Sequence, residues 1–186
     1  MNYSDYLNLS KEELAYMCLC RESKPVCRYD EEVYRFLKPY AYKTQEHFFA
    51  IATDNQHRVV DFSITAIGTN NRVTLHPRDI FRPAIMANAH QIILAHNHPS
   101  GSPFWSDEDL RTTAKFVACG KILNIGVVDH ILIYGDSFSS LASFCEMQNL
   151  GVYFDDQGNL HSNEYTLKLI SAFDDAEKAV SPKEAP

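Results

Sequence analysis

The most informative segment of this chain is His96-Asn97-His98-Pro99-Ser100-Gly101-Ser102-Pro103-Phe104-Trp105-Ser106-Asp107-Glu108-Asp109, which has the pattern H-x-H-x7-S-x-x-D. It follows an apolar run, Gln91-Ile92-Ile93-Leu94-Ala95, that is typical of a buried strand. Because residues i and i+2 of an extended strand point to the same side, we expect the two imidazoles to converge. A carboxylate from the next helix would add a third ligand and leave one position open for water. That is the composition of a catalytic zinc site.

We interpret His96 and His98 as ligands of one metal ion. A lone histidine at a strand end is usually an ordinary polar residue, whereas a pair followed by S-x-x-D indicates metal binding. The mixed ligands suit Zn²⁺, while Fe²⁺, Mn²⁺ and Ni²⁺ stay open as alternatives. Asp107, Glu108 and Asp109 are the candidates for the third metal ligand. Ser106 and Asp109 also form a capping box, a structural pattern at a helix start. Both roles are compatible, because the positive end of a helix favours an ionised carboxylate in its first turn.

The segment resembles the JAMM (MPN-domain) metalloproteases and, more closely, their bacterial RadC-like branch, which is named after a DNA repair protein. The resemblance includes residues 75–81 (LHPRDIF), 93–101 (ILAHNHPSG) and 128–133 (VDHILI), and it covers roughly residues 30–145. It implies an α/β fold, in which a curved mixed β-sheet is flanked by helices, as in cytidine deaminases. It also implies a metallohydrolase that holds one zinc ion per chain and cleaves peptide or isopeptide bonds in a peptide or protein substrate.

The resemblance assigns roles to three residues of the site. Asp109 matches the third metal ligand. Glu46, at the start of Glu46-His47-Phe48-Phe49, matches the general base, the group that takes a proton from water and hands it to the leaving amine. Without the resemblance, this glutamate would be interpreted as an exposed carboxylate at a strand end. Ser106 matches the serine that stabilises a tetrahedral oxyanion, to which one well-placed donor contributes roughly 3 kcal/mol.

Five further residues are expected to support the ligands or to shape the substrate loop: Asn97, Ser100, Trp105, Asp129 and His130. Asn97 should point away from the two histidines and fix the loop, and Ser100 belongs to the turn that leaves the metal-binding strand. Trp105, the single tryptophan, replaces a proline that the family usually has; it either lines a substrate groove or packs the loop onto the domain. Asp129 and His130 match the RadC-like pattern and are expected to support the ligands or the fold, since an open site needs only three protein ligands.

The composition restricts the function classes. With 186 residues, 45% apolar and 22% charged, the chain suits one soluble domain, and its formal net charge of −7 argues against tight nonspecific DNA binding. No apolar run reaches the roughly 20 residues of a membrane span, and the N-terminus lacks a signal-peptide pattern, so we expect a cytoplasmic protein without a membrane partner. The five cysteines are expected to be thiols. Cys18, Cys20 and Cys27 lack a standard zinc-finger spacing and suit apolar packing, with a second zinc site as the alternative.

Three parts are predicted along the chain. Residues 1–40 form a helical segment without the helix-hairpin-helix that RadC-like proteins often carry, residues 41–145 form the metal-binding domain, and residues 146–186 form an extension with a disordered end. The predicted strands cover residues 46–52, 59–67, 91–95, 127–134 and 138–141. The predicted helices cover residues 10–20, 30–39, 77–89, 106–123 and 164–179. Pro83 is expected to kink or split the third of these helices.

Two other functions stay open. One is a DNA repair or DNA-processing accessory, the role that the family name implies. The other is a non-catalytic interaction module, like the metal-free MPN scaffolds, which have lost motif residues. Retention of the whole motif argues for an enzyme; its members here are Glu46, His96, His98, Ser106 and Asp109. The sequence gives no indication of the oligomeric state.

Overall fold

Helices pack on both faces of a five-stranded mixed sheet in the computed structural model, which describes residues 10–68, 75–143, 153–154 and 160–161. The helices are α1 (Lys11–Ser23), α2 (Asp30–Leu37), α3 (Pro77–Met86) and α4 (Asp107–Leu123), and a 3-10 turn (Lys38–Tyr40) follows α2. The strands of the sheet are β1 (Glu46–Thr53), β2 (Val59–Gly68), β3 (Gln91–Asn97), β4 (Gly126–Tyr134) and β5 (Ser137–Ser140). A separate ribbon pairs β6 (Tyr153–Phe154) with β7 (Leu160–His161). The predicted α/β fold, a mixed sheet flanked by helices, is confirmed.

The strand order is β2-β1-β3-β4-β5, in which only β3 and β4 are parallel neighbours. A parallel pair needs a crossover connection, and α4 supplies it between β3 and β4. Gly120 permits a close approach of α4 to the chain that enters β4, because a Cβ at this position would lie 2.5 Å from the carbonyl oxygen of Ile125. The last turn of α4 is therefore packed tightly against the chain that enters β4.

Both faces of the sheet are buried, because a helical layer covers each of them. One face packs against α2 and the turn after it, through Phe49, Ile51, Ile93, Ala95, Phe36 and Leu37. The other face packs against α3 and α4, through Phe48, Ile92, Leu94, Ile80, Phe81 and Phe116. This two-sided burial explains why the central strands are continuous apolar runs rather than alternating ones.

The register of β1 and β3 gathers the predicted site residues at one edge of the sheet. Phe48 of β1 pairs with His96 of β3 in antiparallel orientation. Continuing this register by two residues places Glu46 opposite His98, with its side chain on the same face as that of His96. This face also carries α4, so three segments that are distant in sequence meet at one place.

Several predicted boundaries differ from the structure by one to three residues, among them those of β3, α1 and α3. β3 continues to Asn97 instead of ending at Ala95, because pairing with β1 extends to His96 and pairing with β4 extends to Asn97. α1 continues to Ser23. α3 ends at Met86 rather than residue 89, and Asn88 in the following turn has a φ of +51°.

Pro83 does not split α3, which is continuous from Pro77 to Met86. A proline in a helix removes the hydrogen bond from its own nitrogen to the carbonyl four residues earlier, here that of Asp79. Ile80, Phe81 and Ala84 are almost completely buried against the sheet. This packing holds the helix together in spite of the missing bond.

Several other expectations concern regions away from the sheet. None of the helices in the described ranges is long and apolar enough to cross a membrane. Cys18 is exposed and Cys27 is buried, and within the described residues neither belongs to a group of three potential metal ligands. The predicted helix 164–179 and the predicted disordered end lie outside the described residues.

Candidate metal centre

His96 and His98 converge at the end of β3, where their Nε2 atoms are 3.1 Å apart. His96 is fully buried, and its ring stacks on that of Phe48, its neighbour on β1. His98 lies one residue beyond the strand, but its N–H donates to the carbonyl of Ile133 at 2.8 Å, which prolongs the alignment with β4. The chain is therefore extended across both histidines, and their side chains meet on one side.

Asp109 approaches the histidines from the first turn of α4. Ser106 is the N-cap of this helix: its Oγ accepts from the Asp109 N–H at 3.1 Å, and its own N–H donates to Asp109 Oδ2 at 2.8 Å. The Ser106 hydroxyl donates to the same Oδ2 at 2.6 Å. The carboxylate held in this way places Oδ1 3.3 Å from His96 Nε2 and Oδ2 3.8 Å from His98 Nε2.

The spacing of these three side chains fits a zinc ion. Of the residues that the structure describes, only these three form such a cluster of potential metal ligands. In a tetrahedral site with bonds of about 2.0–2.1 Å, adjacent donor atoms are about 3.3 Å apart. The two Nε2 atoms here are 3.1 Å apart, and they lie 3.3 and 3.8 Å from Oδ1 and Oδ2 of Asp109, respectively. The side chains of His98 and Asp109 keep 15% and 12% of their surface exposed, so a fourth position can face solvent.

The protonation state of His96 also suits metal binding. Burial lowers the pKa of His96 to about 4; the charge of Asp109 opposes this change, and His98 adds to it. The imidazole is therefore neutral at pH 7, and neutral imidazole is the form that binds a metal ion.

The second ring nitrogen of each histidine has a partner. His98 Nδ1 lies 3.0 Å from the carbonyl oxygen of Ser102, to which it donates. His96 Nδ1 lies 2.9 Å from His130 Nε2, and His130 Nδ1 lies 2.6 Å from Thr113 Oγ1. Metal-binding histidines usually have such partners, which fix the ring orientation. His130 thus contacts Nδ1 of His96, whereas Nε2 of His96 faces Asp109.

Glu46 lies at the exposed start of β1, opposite His98 in the extended register. Loss of water around its carboxylate raises the pKa of Glu46; the negative charge of Asp109 raises it further, and His98 lowers it. A pKa displaced towards neutrality makes a carboxylate a better acceptor and donor of protons at working pH.

The hydroxyl of Ser106 donates its hydrogen to the carboxylate of Asp109 in this structure. A hydroxyl has one hydrogen to donate, and the distance of 2.6 Å to Asp109 Oδ2 shows where it is. Donation to the oxygen of a substrate requires the hydroxyl to turn away from Asp109. The contact that the structure shows for Ser106 is therefore one that orients the carboxylate.

Asn97 joins β3 to the start of β1. Its Oδ1 accepts from the N–H of His47 at 2.7 Å, and its Nδ2 donates to the carbonyl of Gln45 at 3.1 Å. These bonds flank Glu46 on both sides, so Asn97 fixes the backbone that carries this carboxylate. Ser100 is exposed in the turn after His98, where its Oγ accepts from the N–H of Ser102 at 3.3 Å.

Trp105 packs against the histidines. Its ring lies edge-on to the rings of His96 and His130, with centroids 5.7 and 5.1 Å away. Its indole nitrogen is buried and has no hydrogen-bond partner among the described residues. These contacts pack the loop onto the domain, and the neighbouring Phe104 is 78% exposed.

Asp129 supports β4 and β5 and makes its hydrogen bonds away from the ligands. The carboxylate of this half-buried residue accepts from Ser140 Oγ at 2.7 Å and from the backbone N–H groups of His130 and Ala142 at 2.7 and 3.1 Å. Burial raises the pKa of Asp129 to about 6, although the three hydrogen bonds oppose this change. Asp129 thus fixes the backbone of His130, which in turn contacts His96.

One residue of the site was missed from the sequence. Thr113 donates to the backbone carbonyl of Asp109 at 2.7 Å and contacts the ring of His130. Its position four residues after Asp109 places both on one face of α4, and this spacing is the signal that could have identified it.

Comparisons with known proteins identify the family of this domain. The sequence-family model of the RadC-like JAB domain matches residues 27–148, which are more than half of the chain. A UPF0758 protein of Desulforudis audaxviator is 37% identical over 132 residues, which cover 69% of this chain and 57% of that protein. A UPF0758 protein of Bacillus cereus (strain Q1) is 39% identical over 121 residues, which cover 65% of this chain and 51% of that protein. The chain thus spans little more than half the length of these relatives.

The matched residues include the sheet and the whole motif. Residues 27–148 contain β1 to β5 together with α2, α3 and α4. They also contain His96, His98 and Asp109, which converge as described above. The family match and the observed fold agree with the resemblance found in the motif, and the chain therefore belongs to the RadC-like JAB domain family.

Proposed function

We propose that this chain is a zinc-dependent hydrolase that cleaves peptide or isopeptide bonds, with His96, His98 and Asp109 holding one zinc ion. The proposal depends on one observation above all: the Nε2 atoms of His96 and His98 lie 3.1 Å apart, and each lies within 3.8 Å of an oxygen of the Asp109 carboxylate. Three nitrogen and oxygen ligands with an open fourth position are typical of catalytic zinc sites, whereas structural sites are closed. A zinc ion in such a site polarises a carbonyl group and acidifies water.

Glu46 is the proton carrier in this proposal. The register of β1 and β3 supports this role, because its continuation from the Phe48–His96 pair puts Glu46 opposite His98. The raised pKa of Glu46 suits a group that accepts a proton from water and then delivers it to the leaving amine. Asn97 supports this role, because its hydrogen bonds to His47 and Gln45 hold the backbone on either side of Glu46.

The first role of Ser106 in this proposal is to orient the ligand Asp109. In the resting arrangement it orients Asp109 through the capping box and the hydroxyl bond. When a carbonyl oxygen becomes negatively charged nearby, rotation of the hydroxyl would present its hydrogen to that oxygen, a type of contact that contributes roughly 3 kcal/mol. The backbone bonds of the capping box would still hold Asp109 during this rotation.

A polypeptide is the substrate class that suits this surface. His98 and Asp109 lie partly exposed at an edge of the sheet, and the loop beside them presents Phe104 to solvent. An exposed aromatic ring next to the reacting groups can contact an apolar side chain of a bound chain. The formal net charge of −7 also favours a protein partner over the phosphate backbone of nucleic acid.

The proposal is tested with Glu46→Gln, which keeps the size of the side chain and removes its ability to accept a proton. Zinc-loaded wild type is incubated with a peptide library and with lysine-branched isopeptide reporters, and products are identified by mass spectrometry. We expect cleavage by the wild type and a loss of roughly 100-fold or more in kcat for the variant. Zinc content, measured by elemental mass spectrometry, should be equal in both.

Glu12→Gln is the control, since it makes the same charge change at an exposed position on α1. It should cleave like the wild type. Zinc-loaded wild type that cleaves none of these substrates, or a Glu46→Gln variant that cleaves at the wild-type rate, would contradict the proposal.

A further inference from the structure

A chain of three hydrogen bonds runs from His96 back to the helix that carries Asp109. His96 Nδ1 lies 2.9 Å from His130 Nε2, His130 Nδ1 lies 2.6 Å from Thr113 Oγ1, and Thr113 Oγ1 lies 2.7 Å from the backbone oxygen of Asp109. His96 and His130 are fully buried, and Thr113 is 3% exposed. The chain therefore connects two of the three proposed ligands through the interior of the protein.

The direction of these bonds follows from the hydroxyl of Thr113. A backbone carbonyl can only accept, so the single hydroxyl hydrogen lies between Thr113 Oγ1 and the oxygen of Asp109. Thr113 Oγ1 can then only accept from His130, which must carry a hydrogen on Nδ1. A neutral His130 has a lone pair on Nε2, and His96 Nδ1 must donate to it. The lone pair of His96 is thereby left on Nε2, which faces His98 and Asp109.

The neutral state of His130 has a physical reason. A charged imidazolium loses its hydration when it is buried, and this loss is costly. His130 is fully buried, and neither of its ring contacts, with Thr113 and with His96, is to a carboxylate that could balance a positive charge. One hydrogen is therefore present on the ring, and the contact with Thr113 decides which nitrogen carries it.

We propose that Thr113 and His130 are positioning residues, which hold His96 in the tautomer whose Nε2 lone pair faces the metal ion. The inference rests on the proposed zinc site and extends it to residues that do not touch the ion. In the opposite tautomer, a hydrogen on Nε2 would point at His98 and Asp109 and would prevent binding through His96. Because Thr113 donates to the carbonyl of Asp109, the orientation of one ligand is coupled to the helix turn that holds another.

Thr113→Val and Thr113→Ser form a matched pair for the test. Valine has nearly the same shape as threonine but cannot accept from His130, so both tautomers of the two rings become accessible. Serine keeps the hydroxyl and should preserve the bond. Loss of a group that supports a metal-binding histidine typically weakens metal binding by 10- to 100-fold, and we expect roughly a 10-fold loss of Zn²⁺ affinity for valine and affinity near the wild type for serine.

Two measurements decide the question. Zn²⁺ affinity is determined by competition with a chelator, and the fluorescence of Trp105, which packs against His96, reports binding. The ring tautomer of His96 is read by ¹⁵N NMR on metal-free, histidine-labelled protein and is assigned with His96→Gln. We expect Nδ1–H in the wild type and in Thr113→Ser, and a mixture in Thr113→Val.

A wild-type His96 that is protonated on Nε2 would overturn the inference. This measurement uses the wild type alone, so it does not depend on whether a variant folds. Wild-type zinc affinity together with the wild-type tautomer in Thr113→Val would also overturn it. A wild type that shows the expected tautomer but binds no zinc would support the tautomer assignment while contradicting the proposed hydrolase, so the two failures are distinguishable.

Discussion

The hydroxyl of Ser106 accepts from the backbone N–H of Asp109 at 3.1 Å and donates to its carboxylate at 2.6 Å. Replacement by alanine removes both bonds while the bond from the backbone of residue 106 stays. We predict that Ser106→Ala lowers the free energy of unfolding of the metal-free protein by about 1 kcal/mol, the usual cost of losing an N-cap. Zn²⁺ affinity should also fall, because Asp109 is held less firmly. Urea unfolding and a zinc titration measure the two effects.

Ser106→Thr is the control, because threonine keeps the hydroxyl and is also an accepted N-cap residue. It should retain most of the stability and of the zinc affinity. If Ser106→Ala instead lowers only the rate of hydrolysis and leaves stability and zinc affinity unchanged, the hydroxyl acts on the substrate alone and does not position Asp109.

The residues of the site differ in how far the sequence predicts them. The spacing of His96, His98 and Asp109 is informative because a strand end and a helix start impose known side-chain directions. The partners of these ligands are harder to predict, since they come from other parts of the chain. Contact between His96 and His130 depends on the parallel pairing of β3 with β4, which no local pattern reveals.

Between elements, Asn97 connects the end of β3 to the start of β1 through its bonds to His47 and Gln45. Asn97→Ala leaves the N–H of His47, which belongs to a buried residue, without its partner. Such an unpaired group typically costs about 1–3 kcal/mol. We predict this loss in urea unfolding, faster amide exchange at His47, and a lower kcat with unchanged zinc affinity, because Glu46 lies between the two released backbone groups.

Asn55→Ala provides the comparison, since this asparagine is exposed in the turn after β1. It should change neither the amide exchange of His47 nor kcat. Equal exchange rates at His47 in Asn97→Ala and the wild type would show that the regular strand pairing alone fixes the start of β1.

The elements themselves follow largely from local patterns, and the differences have tertiary causes. β3 was predicted to end at Ala95 because His96 and Asn97 are polar, yet pairing with strands on both sides keeps them in the sheet. In α3, the prediction gave Pro83 too much weight, because the burial of Ile80 and Phe81 against the sheet outweighs one missing hydrogen bond. Local propensity is overridden where an element packs against the core.

At the scale of the whole molecule, the N-terminal helix is attached to the same edge as the candidate site. Glu13 of α1 is 7% exposed and forms an ion pair with Lys43 at 3.0 Å, and it lies 3.6 Å from the ring of His47. Lys43 and His47 flank the segment that ends in Glu46. The helix ahead of the metal-binding strands thus contributes to the order of β1, although its sequence contains none of the motif residues.

The buried carboxylate of Asp129 makes the stability of the molecule depend on pH. Its pKa is raised from 3.8 to about 6 by burial, so the folded state binds the proton more tightly, and this stabilisation is lost as pH rises through 6. Asp129→Asn cannot titrate, and its stability relative to the wild type should rise by about 1.4 kcal/mol between pH 5 and pH 7.5. Urea unfolding at both pH values measures the difference, with Glu12→Gln, at an exposed position of α1, as the charge control. A constant difference would mean that Asp129 is ionised throughout this range, held by Ser140 and the two backbone N–H groups.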